Sequence, residues 1–328
     1  FLKNEKGVFK NVTANTGVDK QVGWWNSIVS GDFDNDGDLD YIVGNLGGNS
    51  YYKASTTYPV VMYANDFDKN GSYDAFPGLY LPISHVDTVL KLFPAQTRED
   101  AIKQMIGMRS KYQNFKTYAA ATLDDLFTPE QIKGAQVLKA NYFNSSYLQN
   151  NGNGKFSITA LPLAAQVSTL NGMQVDDFNG DGNLDIAING NDFGTEVSVG
   201  RYDALNGLIM LGDGKGGFVP QSILESGLFL PGNGKALVKL TNAKGEYLMA
   251  ASQNKGPLKI YKSKIIQTSI KVMPNEVAAI ITYTNGKTRK EEFYYGQSFL
   301  SQSGRSILKN DKIKSITIID NKGNRRTI

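Results

Sequence analysis

The chain of 328 residues contains no cysteine and a single histidine, His85. The lack of cysteine excludes disulfide bonds, thiol nucleophiles, thiolate zinc sites and iron–sulfur clusters. One histidine excludes any site built from several histidine ligands, and we expect His85 to be structural because no partner spacing accompanies it. The sequence has no run of 18 apolar residues, so we expect no membrane span. Its composition is typical of a folded protein large enough for two domains.

The charge is distributed unevenly along the chain. From Asn254 to Ile328 there are 15 basic and 5 acidic residues, a balance of +10, and the rest of the chain has a balance of −6. This difference favours two domains with different surfaces. In the C-terminal part the basic residues alternate with Ile, Thr and Val, which is typical of the solvent faces of strands. We therefore expect no nucleic-acid partner.

The strongest internal feature is a nine-residue pattern, D-F-[DN]-x-[DN]-G-x-x-D, that occurs three times. Positions 1, 3, 5 and 9 are always Asp or Asn, and position 2 is always Phe. Loop one consists of Asp32–Asp40, loop two of Asp66–Asp74 and loop three of Asp177–Asp185. The candidate metal ligands are Asp32, Asp34, Asp36, Asp38, Asp40, Asp66, Asp68, Asn70, Ser72, Asp74, Asp177, Asn179, Asp181, Asn183 and Asp185.

Oxygen ligands at this spacing indicate calcium. Ca²⁺ takes six to eight oxygens from carboxylates, amides and backbone carbonyls. The side chains at positions 1, 3 and 5 converge in a tight turn, glycine at position 6 permits the turn, position 7 offers its carbonyl, and position 9 closes the shell. The Phe at position 2 is expected to be a buried anchor. We expect up to three calcium ions, with the tightest in loop one, which has the most carboxylates.

Two other interpretations of the acidic loops were considered. An EF-hand needs an acidic residue at position 12 and a following helix, but the twelfth residues here are Val43, Pro77 and Ile188. Acidic turns without any metal are the other alternative, and they would leave several carboxylates repelling one another without a counter-ion.

The loops resemble those of FG-GAP or VCBS repeats, which are the calcium-loop blades of integrin α propellers. The resemblance is carried by "WWNSIVSGDFDNDGDLDYIVGN" and "DDFNGDGNLDIAING", and near the end "YYGQSFLSQSGRSIL" resembles the ASPIC/UnbV domain. It implies a mainly β, propeller-like architecture of about four repeats, within residues 1–264, followed by a small β domain over 265–328. It also implies a secreted, cell-surface or periplasmic protein. The chain begins at Phe1 without a signal peptide, and we expect it to be the C-terminal part of a longer protein.

The four repeats are not equally spaced. Repeat one is expected from about Val8 to Ala54, repeat two from about Tyr58, repeat three over Gln166–Pro220 and repeat four over Leu228–Lys262. A helical insertion of about 96–136 separates loops two and three, with Ile102, Met105, Ile106 and Tyr112 expected on one helix face. Its helices are expected to start at the capping-box-like segments that begin with Thr97 and Thr128. The segment from Ala140 to Leu163 should then return to the sheet. Repeat four has Leu240, Asn242, Lys244 and Leu248 at the ligand positions, so we expect no metal there.

The sequence indicates the function of this protein less clearly than it indicates the fold. Trp24 and Trp25 are adjacent on a predicted strand, so one should face outward, where it can stack on a sugar or a partner, although packing between repeats is the alternative.

The sequence shows no catalytic constellation. We expect a non-enzymatic, calcium-binding extracellular module that binds a protein or a glycan. The alternative is a carbohydrate-active enzyme, a glycosidase or lyase on a propeller scaffold. In the C-terminal part, Asn285-Gly286 is predicted to form a type I′ hairpin turn.

Overall fold

The computed structural model describes residues 1–84, 86, 88–264 and 268–328. His85 therefore lies outside the described residues. The fold is mainly β, with 40% strand against 11% helix. The chain divides into two compact bodies: the larger body comprises Phe1–Lys20, Trp25–Ser50 and Asn144–Ile328, and the smaller body comprises Gln21–Trp24 and Tyr51–Phe143.

The described residues form the following elements. In chain order the strands are β1 (Leu2–Glu5), β2 (Val8–Asn11), β3 (Ser27–Gly31), β4 (Asp40–Gly44), β5 (Val60–Asn65), β6 (Asp74–Pro82), β7 (Leu90–Pro94), β8 (Gln136–Ala140), β9 (Ser146–Asn150), β10 (Phe156–Ala160), β11 (Leu170–Asp176), β12 (Asp185–Gly190), β13 (Leu208–Gly212), β14 (Phe218–Gln221), β15 (Gly234–Thr241), β16 (Tyr247–Gln253), β17 (Lys259–Lys262), β18 (Thr268–Lys271), β19 (Glu276–Tyr283), β20 (Thr288–Glu292), β21 (Ser306–Lys309), β22 (Ile313–Asp320) and β23 (Arg325–Thr327). The α-helices are α1 (Arg98–Gln104), α2 (Met108–Lys111), α3 (Phe115–Ala119), α4 (Pro129–Lys133) and α5 (Ile223–Ser226).

All strand pairs in the described sheets are antiparallel, and none of these sheets closes on itself. Three sheets of the larger body have the strand orders β10-β9-β4-β3, β11-β12-β13-β14 and β15-β16-β17. The first of these sheets combines strands that lie far apart in the chain, because β4 pairs with β9 and β9 pairs with β10. The expected return of the segment from Ala140 to Leu163 to the sheet of repeat two was therefore wrong, because the hairpin over residues 146–160 pairs with β4 and only β8 pairs with β5. In the chain, residues 51–143 of the smaller body lie between β4 and β9.

The main core of the larger body is formed by buried side chains of two sheets, β10-β9-β4-β3 and β11-β12-β13-β14. This core includes Ile42, Leu170, Met173, Ile186 and Ile188, which are fully buried. In β12 all six residues are buried, as is typical of a central strand covered on both faces. Loops one and three, which follow β3 and β11, each contribute a side chain to this core, Phe33 and Leu184.

The smaller body consists of the sheet β7-β6-β5-β8 and the helices α1–α4. The helices lie where the insertion was predicted, and Thr97 and Thr128 are their N-caps as their spacing indicated. Met105 and Tyr112 are buried as predicted, but Ile106 is 65% exposed, so its assignment to the buried face was wrong. The reason is that α1 ends at Gln104, so the helical period does not extend to Ile106.

The C-terminal strands form two small sheets, β18-β21 and β20-β19-β22-β23, around a core that includes Ile281 and Ile316. They belong to the larger body, and the predicted domain boundary falls at residues 265–267, which lie outside the described residues. The predicted type I′ turn was wrong, because Asn285 does not have a positive φ. Tyr283 and Lys287 close a three-residue turn in which only Gly286 is left-handed, at a φ of 86°.

No helix of the described residues is long and apolar enough to cross a membrane.

Candidate metal centre

Loop one connects β3 to β4 and brings three carboxylates together. One oxygen from each of Asp32, Asp34 and Asp36 lies within 4.8 Å of the others. Gly37 has a φ of 94°, which a residue with a β-carbon adopts only with strain, and it turns the chain back toward β4. Asp38 is exposed, and its backbone N–H donates a hydrogen bond of 2.8 Å to Asp36. The arrangement expected from the spacing is present for positions 1, 3 and 5.

Asp32 is the most unusual side chain of loop one. It is fully buried, and its Oδ1 atom has no hydrogen-bond partner. Its Oδ2 atom accepts the backbone N–H of Lys290 at 3.3 Å. Burial raises the pKa of Asp32, because the charged form loses its hydration. A buried carboxylate oxygen without a donor costs free energy, and a cation held between Asp32, Asp34 and Asp36 would remove that cost.

Asp40, at position 9, anchors loop one to the sheet. Its Oδ2 atom accepts the Tyr147 hydroxyl at 2.7 Å and the Phe33 N–H at 3.3 Å, and its Oδ1 atom accepts the Asn150 N–H at 2.8 Å. Asp40 is fully buried, and burial raises its pKa to about 6. It therefore fixes the end of the loop by bonds to β9, whereas the other three carboxylates form the cluster.

Loop two, in the smaller body, has a second cluster. One oxygen from each of Asp66, Asp68 and Asp74 lies within 4.8 Å of the others. Asp74 is buried, and burial raises its pKa. The Asn70 amide oxygen accepts the Ser72 N–H at 2.7 Å, so both predicted ligands are part of the same turn. Loops one and two hold the two acidic clusters of this kind among the described residues.

Loop three has the same sequence pattern but a different arrangement. Both Asp177 oxygens accept loop N–H groups, at 3.0 and 2.9 Å, as both Asp66 oxygens do in loop two. Asp185 accepts three backbone N–H groups, and burial raises its pKa to about 7. The Asn179 amide donates to Asp181 at 2.9 Å, and the Asn183 N–H donates to Asp181 at 2.8 Å. Its carboxylates do not form a cluster like those of loops one and two.

The phenylalanine at position 2 anchors the loops to different degrees. Phe33 is 2% exposed and meets the rings of Tyr147 and Phe218 edge-on. Phe67 is 3% exposed and stacks on Phe127 with ring centroids 4.1 Å apart. Phe178 is only half-buried. The predicted aromatic anchor is confirmed for loops one and two and is weaker in loop three.

The corresponding turn of repeat four is built without a cluster of acids. Leu240 and Leu248 are paired across the β15–β16 ladder, and Asn242 accepts the backbone N–H groups of Lys244 and Glu246, both at 2.9 Å. The turn is therefore closed by the Asn242 side chain together with backbone hydrogen bonds, from Asn242 N–H to the Glu246 carbonyl and from Gly245 N–H to the Asn242 carbonyl.

No family model and no curated protein matches this chain. The likeness to FG-GAP, VCBS and ASPIC/UnbV sequences therefore depends on the repeated loops and on the C-terminal motif themselves. The loop geometry described above is the independent observation that bears on metal binding.

The tryptophan pair does not lie on a strand, so the prediction of opposite-facing neighbours on a strand was wrong. Trp24 and Trp25 precede β3 and are 42% and 38% exposed. The Trp24 ring packs against Tyr52 and Phe143, with centroids 4.9 and 4.8 Å away. Both indoles thus keep part of their surface accessible to a ligand.

A partly open polar cavity in the larger body was not predicted from the sequence. It has a volume of about 70 Å³ and is lined by Asp176, Lys239 and Glu291, among others. Lys239 Nζ lies 3.3 Å from Asp176 Oδ2, and both side chains are almost fully buried. Burial lowers the pKa of Lys239, but the charges of Asp176 and Glu291 outweigh it and the net change is upward. Burial also raises the pKa of Glu291. These residues are far apart in the chain, so no local pattern connects them.

Proposed function

We propose that this protein binds calcium through loops one and two and uses it to hold a mainly β, FG-GAP/VCBS-like architecture of four repeats. The observation that carries the proposal is the fully buried Asp32 carboxylate, which clusters with Asp34 and Asp36 and whose Oδ1 atom has no hydrogen-bond partner. The donor set consists of oxygens alone, which suits a hard cation. Magnesium is the weaker candidate, because it requires near-octahedral geometry and keeps its waters.

Titration calorimetry on chelator-treated protein tests calcium binding. The wild-type protein is expected to bind calcium, and Asp32→Asn should remove one equivalent because it takes a charged ligand from the loop-one cluster. Lys244→Ala, in the turn of repeat four, is the matched control and should leave the stoichiometry unchanged. Absence of calcium binding at millimolar concentration, or an unchanged stoichiometry in Asp32→Asn, would contradict the proposal.

We further propose that the protein is a non-enzymatic extracellular recognition module whose ligand is a protein or a glycan. The support is the resemblance of its loops to those of secreted and cell-surface repeat proteins, together with the exposed parts of Trp24 and Trp25, since an exposed indole face can stack on a sugar ring or bury against a partner. Substitution of either tryptophan by alanine should weaken binding without changing the calcium stoichiometry.

A nucleic-acid partner is not part of the proposal, despite the basic C-terminal part. Several of its cations are used internally: Arg326 pairs with Glu276, and Arg305 donates to the carbonyl oxygens of Met273 and Pro274 at 3.0 and 3.2 Å. Such cations stabilise loops and strand ends rather than form a stripe that follows phosphates.

One observation favours the alternative of a carbohydrate-active enzyme. Asp176 and Glu291 line the same cavity, and the pKa of Glu291 is raised by burial, as in a general acid. The volume of about 70 Å³ argues against it, since even a benzene ring occupies a cavity of about 150 Å³. A glycan array and a hydrolysis screen on the same sugars separate the two functions. Binding without turnover supports the recognition module, and turnover that is lost in Glu291→Gln supports the enzyme.

A further inference from the structure

Loop three differs from loops one and two because a basic side chain lies beside it. Arg289, on β20, is 4% exposed, and its Nη1 atom donates a hydrogen bond of 3.2 Å to the carbonyl oxygen of Gly182, at position 6 of the loop. Its guanidinium lies over the ring of Tyr283, 5.6 Å from the centroid, and its Nη2 atom is 3.8 Å from Glu291. The guanidinium is thus held between the loop and the C-terminal sheet.

Tyr283 brings the C-terminal sheet close to the same point of the loop. A β-carbon at Gly182 would lie 3.3 Å from the Tyr283 ring, and Gly182 has a φ of 95°. Glycine at position 6 therefore serves both the turn and the close packing of Tyr283. The β19–β20 hairpin supplies both side chains that meet the loop.

The Gly182 peptide connects the Arg289 guanidinium to an acidic side chain of loop three. Its carbonyl oxygen accepts the hydrogen bond from Arg289, and its N–H donates to Asp177 Oδ2 at 2.9 Å. Loop one receives a different contact from the next residue of the same strand. Lys290 gives Asp32 only a backbone N–H, which carries no net charge, and leaves Asp32 Oδ1 without a partner.

We infer that the Arg289 guanidinium is the resident counter-cation of loop three, and that this loop keeps its turn without calcium. The inference rests on the proposed function for the calcium count, because loops one and two would then hold the bound ions. It departs from what the sequence pattern implies, since all three loops have the same motif. The protein is accordingly expected to bind two calcium ions rather than three.

A double-mutant cycle in chelator tests the role of Arg289 without calcium. Arg289→Met and Asp177→Asn should each lower the melting temperature, and the double variant should lose less than the sum of the two, because either change removes the same attraction. Arg289→Lys keeps the charge and should retain part of the coupling with Asp177→Asn. Strictly additive losses would overturn the inference. If Arg289→Met does not fold, the cycle of Arg289→Lys with Asp177→Asn replaces it. The coupling energy between these two changes is expected to be smaller but still measurable.

The calcium stoichiometry supplies the second test, with one carboxylate substituted in loop two and one in loop three. The wild-type protein should bind two equivalents, Asp181→Asn in loop three should still bind two, and Asp68→Asn in loop two should bind one. Three equivalents in the wild type, with one lost in Asp181→Asn, would overturn the inference while leaving the proposed function intact. If no calcium binds at all, the proposed function fails, and the cycle in chelator still decides the role of Arg289.

Discussion

The Tyr147 hydroxyl donates a hydrogen bond of 2.7 Å to Asp40 Oδ2, although the two residues lie 107 positions apart in the chain. Both are buried, Tyr147 on β9 and Asp40 at the start of β4. Of the chain between these two strands, residues 51–143 belong to the smaller body. This bond therefore connects the end of an acidic loop to the strand that returns after the insertion.

Tyr147→Phe should destabilise the larger body by about 1.5–3 kcal/mol, the range for a hydrogen bond to a charged group. The ring keeps its packing against Phe33 while Asp40 loses a donor, so the loss is polar rather than steric. Urea denaturation measures the change. Tyr51→Phe, at a side chain that is 43% exposed, is the control and should have no measurable effect. An equal stability of Tyr147→Phe and wild type would show that the bond contributes nothing.

The two anchors Phe33 and Phe178 occupy the same motif position but should not be equally important. Phe33→Ala should cost about 3–5 kcal/mol, as is usual for a fully buried ring. Phe178→Ala should cost clearly less, because the ring is half-buried and its nearest described aromatic neighbour, Tyr247, is 6.4 Å away between centroids. Chemical denaturation of both variants makes the comparison. The account of the anchors is wrong if Phe178→Ala is the more damaging change.

The stability of the metal-free protein should fall as the pH rises from 5 to 7.5. Burial raises the pKa of Asp40 to about 6 and that of Asp185 to about 7, from a usual value of 3.8. Between the unfolded and the folded pKa the folded state binds more protons, so the free energy of unfolding decreases with increasing pH. Carboxylates whose pKa is lowered, such as Glu276, lose their stabilising contribution only at lower pH, as they become protonated.

Melting curves in chelator at pH 5 and 7.5 measure this dependence. The melting temperature should be higher at pH 5, and Asp185→Asn should reduce the difference because it removes the group with the highest of the two pKa values. His85→Gln serves as a control for the only histidine of the chain, since an ordinary histidine side chain has a pKa of about 6.5. A higher melting temperature at pH 7.5 in chelator would contradict the assigned directions.

The local features of this fold could be predicted well from the sequence. The acidic turns, the strands on either side of them, the N-caps at Thr97 and Thr128 and the hairpin over residues 146–160 all depend on residues close together in the chain. The errors were also local. Ile106 follows the end of α1 by two residues, and Asn285 forms a turn one residue longer than the pair Asn-Gly suggests.

The long-range features could not be predicted in the same way. The pairing of β4 with β9, the contact of Arg289 with Gly182 and the burial of Asp32 beneath Lys290 each join segments that are 100 or more residues apart. A single sequence shows which loops are acidic, but it does not show which side chains the rest of the fold brings to them. For this reason the sequence did not predict that the carboxylates cluster in loop one but not in loop three.

The dependence of the melting temperature on calcium tests the central claim most directly. A ligand that binds only the folded state stabilises it by about 2.7 kcal/mol per site at a free concentration of 100 times its dissociation constant. The melting temperature should therefore rise from chelator to millimolar calcium, and Asp32→Asn should show a smaller rise than wild type. A melting curve that is the same in chelator and in millimolar calcium would contradict the account.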